Sequence, residues 1–243
     1  MAIAIGVSVA VSVPAGAVAN GQDAEDGAYP FAVKLLMTDI PNPDGSTRDS
    51  ACSGALIDRQ WVITAGHCFH DVNGNPVSGP TPYTTTAIVG RTDDADVDKG
   101  HEVAAVEVRQ SPVNDVALAR LAEPIDDVTP LALRAAPPSA GETLVLAGWG
   151  KTSADATGPA SHLQVGEVRV HEVQETTATV TGSWPSPDTS ACASDSGAPY
   201  FEHRAGVDAL VSVEKGGPAC PHSQPETTSR VDIIADWIHD QTR

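Results

Sequence analysis

Three residue types that together activate a hydroxyl stand in this chain at positions where the local pattern would hold them firmly. The segment Trp61-Val62-Ile63-Thr64-Ala65-Gly66-His67-Cys68 ends an apolar, strand-like run in a histidine. Asn114-Asp115 places an acid immediately before the apolar run Val116-Ala117-Leu118-Ala119. Cys192-Ala193-Ser194-Asp195-Ser196-Gly197 places a serine in a glycine-flanked tight loop. A serine hydroxyl is a poor nucleophile until an imidazole takes its proton, and the imidazole needs an anion to fix its tautomer and stabilise its cation. His67, Asp115 and Ser196 supply that set. Each pattern alone has a plainer reading: a hydrogen-bonded structural histidine, or a turn aspartate.

Positioning three such groups from distant points requires a framework of short strands. Short apolar runs recur along the chain: residues 31–37, 54–57, 61–64, 87–89, 116–121, 143–147, 164–170 and 209–213. Gly, Pro, Asn or Asp bound them, and with 21 Gly and 19 Pro turns are frequent, which indicates an antiparallel barrel or sandwich protein. Residues 124–141, rich in Pro and small side chains, read as the connection between two halves. Residues 92–99 (TDDADVDK) read as a solvated acidic loop. Near the end, apolar residues at three- and four-residue intervals predict one helix, about 231–241, packed through Ile234, Trp237 and Ile238. No fixed-period repeat is present, which removes solenoids and propellers.

A length of 243 residues suffices for a large buried core without metal clips. With 14 Lys+Arg against 32 Asp+Glu, the net charge of −18 argues against nucleic acid as a partner, since so acidic a chain cannot replace the counterions around phosphate. Residues 1–13 are uncharged and mostly apolar, and Ala15-Gly16-Ala17 has the small-x-small form of a signal-peptidase site. The run is short for a bilayer span, so residues 1–17 are expected to be a secretory signal and the mature protein to be secreted, extracellular and free of the membrane. Four cysteines, an even number in an exported chain, suggest two disulfides with three possible connectivities. His67, His70, Cys52 and Cys68 have the types of zinc ligands but lack paired Cys-x-x-Cys spacing. Residues 71–75 begin like a calcium loop, but Pro76 replaces its glycine, so no metal and no cofactor is expected.

Taken in order, these segments resemble the trypsin-like (chymotrypsin-fold) serine proteases over nearly everything after residue 17, in the manner of a secreted, bacterial-type member. Val18-Ala19-Asn20-Gly21 with Ala24, Gly27, Tyr29, Pro30 and Phe31 is similar to the family's mature amino terminus. Cys52-Ser53-Gly54-Ala55-Leu56-Ile57 leads into its histidine box, Gly148-Trp149-Gly150 is similar to its second-barrel signature, and residues 194–199 (SDSGAP) are similar to its serine box. The resemblance implies an all-β fold of two six-stranded antiparallel barrels, 18–125 carrying His67 and Asp115 and 126–243 carrying Ser196. It implies a serine endopeptidase acting through an acyl-enzyme, with polypeptide substrates, protein inhibitors as further partners and a monomeric state. Ser196 would attack, His67 would serve as base and then acid, and Asp115 would orient His67. The N–H groups of Ser194 and Ser196 would form the oxyanion hole, and Ser212 would support Asp115 and contact substrate. Cys52 would pair with Cys68, and Cys192 with Cys220. Val18, once its amino group is free, would pair with Asp195.

Departures from the family bear on rate and specificity. Ser194 replaces a glycine in the oxyanion loop, Ala198 a second glycine, and Val213 an aromatic wall. Glu214 stands where a small residue leaves the pocket mouth open. The pocket floor holds Ser190, which argues for an uncharged or aromatic partner. Glu226 on the back wall argues for a basic one, because a buried carboxylate needs a cation; otherwise it swings to solvent or narrows the pocket. The alternative to an enzyme is a weakened homologue that acts as a binding protein. Since the expected signal cleavage after Ala17 would itself expose Val18, export alone would generate the active form. Amino-terminal sequencing of secreted protein should give Val-Ala-Asn-Gly; any other first residue refutes this route.

Overall fold

The protein was analysed as a computed structural model that describes residues 18–204 and 206–243; the expected signal segment lies outside them. Six strands form the ring of the first sheet: β1 (Ala32–Pro41), β2 (Thr47–Asp58), β3 (Trp61–Thr64), β4 (Thr84–Val89), β5 (His101–Gln110) and β6 (Ala117–Leu121), with the two-residue strand Gly79–Pro80 paired outside it on β5. Antiparallel pairing runs β5-β4-β1-β2-β3-β6, and β5 pairs with β6 to close the ring, Ala105 facing Leu121 and Gln110 facing Ala117. The second sheet uses β7 (Thr143–Gly148), β8 (Gln164–Val173), β9 (Thr177–Trp184), β10 (Pro199–Arg204), β11 (Val207–Gly216) and β12 (Glu226–Arg230). Its order is β8-β7-β10-β11-β12-β9, closed by β8 against β9. The fold is therefore two closed six-stranded antiparallel barrels, as the turn-rich composition and the resemblance led us to expect. Closure leaves no edge strand in either ring.

Every apolar run identified in the sequence lies wholly or largely within a strand. Four of the twelve ring strands carry no such run: β5, β9, β10 and β12. The reason is clearest in β12 (ETTSR), whose buried residues are Glu226, Thr228 and Ser229, so hydropathy has nothing to register. The C-terminal segment opens with a 3-10 turn at Asp232–Ile234 and continues as α1 (Ala235–Thr242). Ile234 and Ile238 are buried and Trp237 is partly so, all packed on the core of the first barrel. Arg109 of β5 donates to the Gln241 carbonyl and lies 4.5 Å over the Trp61 ring, pinning the helix to that barrel.

Two apolar clusters make up the interior. One fills the first barrel and crosses to Trp149, Phe201, Leu210 and Val213 of the second. The other lies in the second barrel around Leu144, Leu146, Val168, Val180, Tyr200 and Val18. Phe201 is the seam: its ring lies 5.2 Å from both Tyr29 and Phe31, edge-on. The acidic 92–99 loop is solvated only in part. Asp94 reaches inward to the buried Lys34, 2.5 Å away, and Lys34 Nζ also donates to the Ala160 carbonyl at 2.9 Å. A buried ammonium requires such partners. Among the described residues no helix is long and apolar enough to cross a membrane.

Removing the seam should be expensive. Phe201→Ala is expected to lower stability by about 3–5 kcal/mol in denaturant unfolding, the range for deleting a buried phenyl ring.

Candidate active site

The histidine comes off the end of β3, whose four residues are all buried, into a 3-10 turn at Gly66–Phe69. The turn is held from three sides. Cys68 is disulfide-bonded to Cys52 of β2, with Cα atoms 6.5 Å apart. Gln110 at the end of β5 donates its amide to the Gly66 carbonyl at 2.9 Å and the Phe69 carbonyl at 3.2 Å. Asp115, in the connection between β5 and β6, accepts from the His67 backbone N–H at 2.8 Å through Oδ1, and its Oδ2 lies 2.7 Å from His67 Nδ1. A side chain at Gly66 would meet Gln110 Oε1 at 2.7 Å and Asp115 Oδ1 at 2.8 Å, so only glycine lets the three segments approach. Burial on its own would raise the Asp115 carboxyl. The hydrogen bonds from His67 and the nearby His67 and Lys215 charges outweigh it, and the net shift is downward.

Ser196 lies in the loop between β9 and β10, and faces the same cleft as His67 and Ser194, a volume of about 1080 Å³. Among the described residues no hydrogen bond joins the Ser196 hydroxyl to the His67 ring; such contacts in ligand-free sites commonly tighten when substrate arrives. Ser53 of β2 ties this loop to the first barrel. Its N–H donates to the Ser196 carbonyl at 2.9 Å, and its hydroxyl donates to the Ser194 carbonyl at 3.0 Å. Gly197 (φ +84°) is packed so closely that a Cβ would lie 2.1 Å from Thr64 Oγ1 and 2.5 Å from the Ala65 nitrogen. The N–H groups of Asp195, Gly197 and Ala198 are bonded to backbone carbonyls of Cys192, Glu214 and Asp195. Those of Ser194 and Ser196 have no backbone partner among the described residues.

Asp195 is fully buried. Its carboxylate accepts from the Gly150 N–H at 2.7 Å and the Cys192 N–H at 2.9 Å, and Gly148 and Gly150 leave the room it occupies. Burial pushes it up to about 8, the two N–H donors pull the other way, and the Glu226 charge adds to the rise. Val18 is buried in the core of the same barrel, and Ala19 bridges to Ser190, accepting from its N–H at 3.1 Å.

A second cavity of about 340 Å³ adjoins Ser196, lined by Ala191, Glu214, Gly216 and Gly217 and by Cys192 and Cys220, which are disulfide-bonded with Cα atoms 5.3 Å apart. Glu214 is buried and is one of the residues lining it. Behind Glu214 lie Tyr200 and Glu226: the Tyr200 hydroxyl oxygen is 2.8 Å from Glu214 Oε2 and 2.8 Å from Glu226 Oε1. Glu226 also accepts from the Ala191 N–H at 3.0 Å, and His222 Nε2 lies 3.5 Å from it. Glu226 thus faces inward and not solvent, one layer behind the cavity lining. Ser190 is buried beside it, accepting from the His222 N–H at 3.1 Å. Val213 is fully buried in β11 and presents no wall. The Ser212 hydroxyl is buried without a hydrogen-bond partner and does not reach Asp115, whose two oxygens both face His67.

Sequence reasoning missed four residues that shape this region: Ser53, Gln110, Tyr200 and His222. Each is an ordinary polar or aromatic residue in a strand or loop, and only proximity across the fold reveals its part.

Two closed antiparallel barrels with a histidine–aspartate pair and a serine loop meeting at their junction define the class of the chymotrypsin-fold serine peptidases. The sequence model of the family described as Trypsin matches residues 18–238, and the chain belongs to that family. It is 27% identical to mouse Serine protease 56 over 93% of this chain, and 28% identical to Serine protease 1 of Drosophila melanogaster over 93% of this chain and 86% of that protein. A third relative, mouse Transmembrane protease serine 11C, is 26% identical over 93% of this chain and 53% of its own length. The chain spans 39% of the length of Serine protease 56 from mouse or human.

Ser194 has φ +78°, a region that favours glycine. A side chain there costs about 1–2 kcal/mol of backbone strain, partly offset by the lower entropy of serine in the unfolded chain. Ser194→Gly is therefore expected to stabilise the protein by about 0.5–1 kcal/mol, measured as a shift in the denaturant midpoint at unchanged slope.

Proposed function

We propose that the chain is a secreted serine endopeptidase that cleaves after basic residues, with His67, Asp115 and Ser196 as its triad. The observation that carries this reading is the double attachment of Asp115 to the ring and backbone of His67, in the cleft that Ser196 also lines. Ser196 Oγ attacks the scissile carbonyl as His67 Nε2 takes its proton. Asp115 keeps Nδ1 protonated, aims the ring and stabilises the imidazolium. The Ser194 and Ser196 N–H groups receive the oxyanion, each worth about 3 kcal/mol in the transition state. His67 then protonates the leaving amine, and water releases the acyl-enzyme by the same steps in reverse order.

Residues 18–125 form the barrel that supplies base and acid, and residues 126–243 the barrel that supplies the nucleophile and the specificity cavity. In the active form the freed Val18 amine inserts beside Asp195 and supplies the cation that this buried carboxylate lacks. The basic preference at P1, the residue on the acyl side of the cut, rests on Glu214 at the cavity wall with Glu226 behind it. The uncharged Ser190 contributes no anion. Partners are polypeptides and protein inhibitors, and the enzyme acts as a monomer outside the cell.

The test uses protein beginning at Val18 on a mixture of unfolded peptides, with new termini mapped by mass spectrometry. Cuts after Lys and Arg are expected, with a rate at least about a thousandfold lower in Ser196→Ala and roughly ten-thousandfold lower in Asp115→Asn. Cuts confined to aromatic residues would overturn the basic preference. No Ser196-dependent cut anywhere would favour the binding-protein reading, to which the side chain at Ser194 and the narrowing by Glu214 would contribute.

A further inference from the structure

The contacts of Tyr200 place a proton-counting constraint on the specificity cavity. A phenol has one O–H to donate. Its oxygen nevertheless lies 2.8 Å from a carboxylate oxygen of Glu214 and 2.8 Å from one of Glu226. If both glutamates were ionised, one of these contacts would set two oxygen lone pairs against each other in a buried site, a costly arrangement. Both contacts become hydrogen bonds only if the phenol donates to one carboxylate and the other, protonated, carboxyl donates into the phenol oxygen. Deepening the basic-P1 reading and resting on it, we propose that Glu214 and Glu226 share one proton through Tyr200, and that a basic P1 side chain binds by displacing it.

The surroundings agree. Burial holds the Glu214 carboxyl well above its usual range, and the charges of Glu226 and Asp195 push it further. The Tyr200 hydroxyl and the Lys215 backbone N–H oppose the rise. Tyr200 of β10, Glu214 of β11 and Glu226 of β12 are all buried. The titratable neighbours are His222 in the loop before β12, whose Nδ1 faces the Gln224 carbonyl at 2.9 Å and whose Nε2 faces Glu226, and Asp195 in the nucleophile loop. Of the two glutamates Glu214 lines the cavity, so an incoming ammonium or guanidinium meets it first. The exchange balances: the cation enters, the shared proton leaves to solvent, and the pair becomes two carboxylates with the phenol donating to one and the cation bonded to the other. A neutral side chain displaces no proton.

Binding of a cation should therefore depend on pH while binding of a neutral ligand does not. Where the shared proton is present, affinity for the cation should rise about tenfold per pH unit, the signature of one proton released. The experiment is calorimetric titration of benzamidine, an aromatic amidinium, into protein beginning at Val18 at pH 7, in buffers of different ionisation enthalpy. About one proton released per cation is expected. In Glu226→Gln, whose amide N–H mimics the proton donor to the phenol, the binding step should release close to no proton, and release as large as in the unmodified protein would overturn the proposal. His222→Gln should still release the proton; loss of release in that variant would assign the proton to the imidazole and overturn the proposal, as would cation binding without release in the unmodified protein. Infrared difference spectra of the ligand-free protein against Glu226→Gln separate the two readings. A protonated-carboxyl band with no benzamidine binding would overturn the displacement and the basic preference together, whereas binding with no such band would overturn only the shared proton.

Discussion

One serine of the first barrel, Ser53, sets the register between the two halves of the candidate site. The proposed base and nucleophile sit on separately closed barrels, each satisfied by its own backbone ladder; among the described residues the two rings share no strand ladder, and an isolated bridge pairs Asp93 with His162 away from the site. Ser53 supplies the link: its N–H holds the Ser196 carbonyl, its hydroxyl holds the Ser194 carbonyl and accepts from the Trp149 N–H, and its own carbonyl accepts from Thr64 beside the histidine turn. Ser53, Thr64 and Trp149 are buried, so sliding the barrels apart would strand buried donors and acceptors at about 1–3 kcal/mol each. The aromatic seam at Phe201 and the absence of a side chain at Gly197 then allow the close approach that these bonds require.

Electrostatics give the second barrel a different character from the first. Asp195, Glu214 and Glu226 are all buried within it, and the Glu226 charge adds to the rise of both the Asp195 and the Glu214 carboxyls. Such an arrangement survives only through donors, cations or protons. Backbone N–H groups serve Asp195 and, in part, Glu226, while a phenol links Glu226 to Glu214. Among the described residues of this barrel, two places still lack a positive charge: the pocket around Asp195 and the cavity beside Ser196 that Glu214 lines. A cation from the chain's own terminus and a cation from a substrate are the groups we propose for them. The same logic makes the buried Lys34 structural, because Asp94 and a carbonyl already satisfy it.

Much of the fold was legible because closed barrels write themselves into sequence as short apolar runs between turns. Of the strands that went unseen, β12 turns Glu226 and Thr228 inward, where they meet hydrogen-bond partners and not hydrocarbon, while β5 and β9 each bury only two small apolar residues. The helix was legible from its three- and four-residue spacing, although its first turn is 3-10. The acidic 92–99 loop read as solvent-facing because charge runs usually are, and Asp94 departs from that only because a buried lysine lies across the fold. In the same way, Glu226 could be placed on a pocket wall by counting along the chain, but whether it faced the cavity, the solvent or another side chain could not.

What this sequence determined alone was local: residue types that can do acyl-transfer chemistry, glycines where backbone must pass close, cysteines in even number, and strands ended by the residues that matter. These follow from stereochemistry acting over a few neighbours. Tertiary structure decided everything that depends on distance between remote segments: which cysteines meet, that Gln110 clamps the histidine turn, that Ser212 does not reach Asp115, and that Tyr200 stands between two glutamates. A hydrogen bond forms only when donor and acceptor come within about 3 Å, and the strength of a charge pair in a desolvated interior is set by its separation. A linear pattern carries no record of which remote groups come within that range.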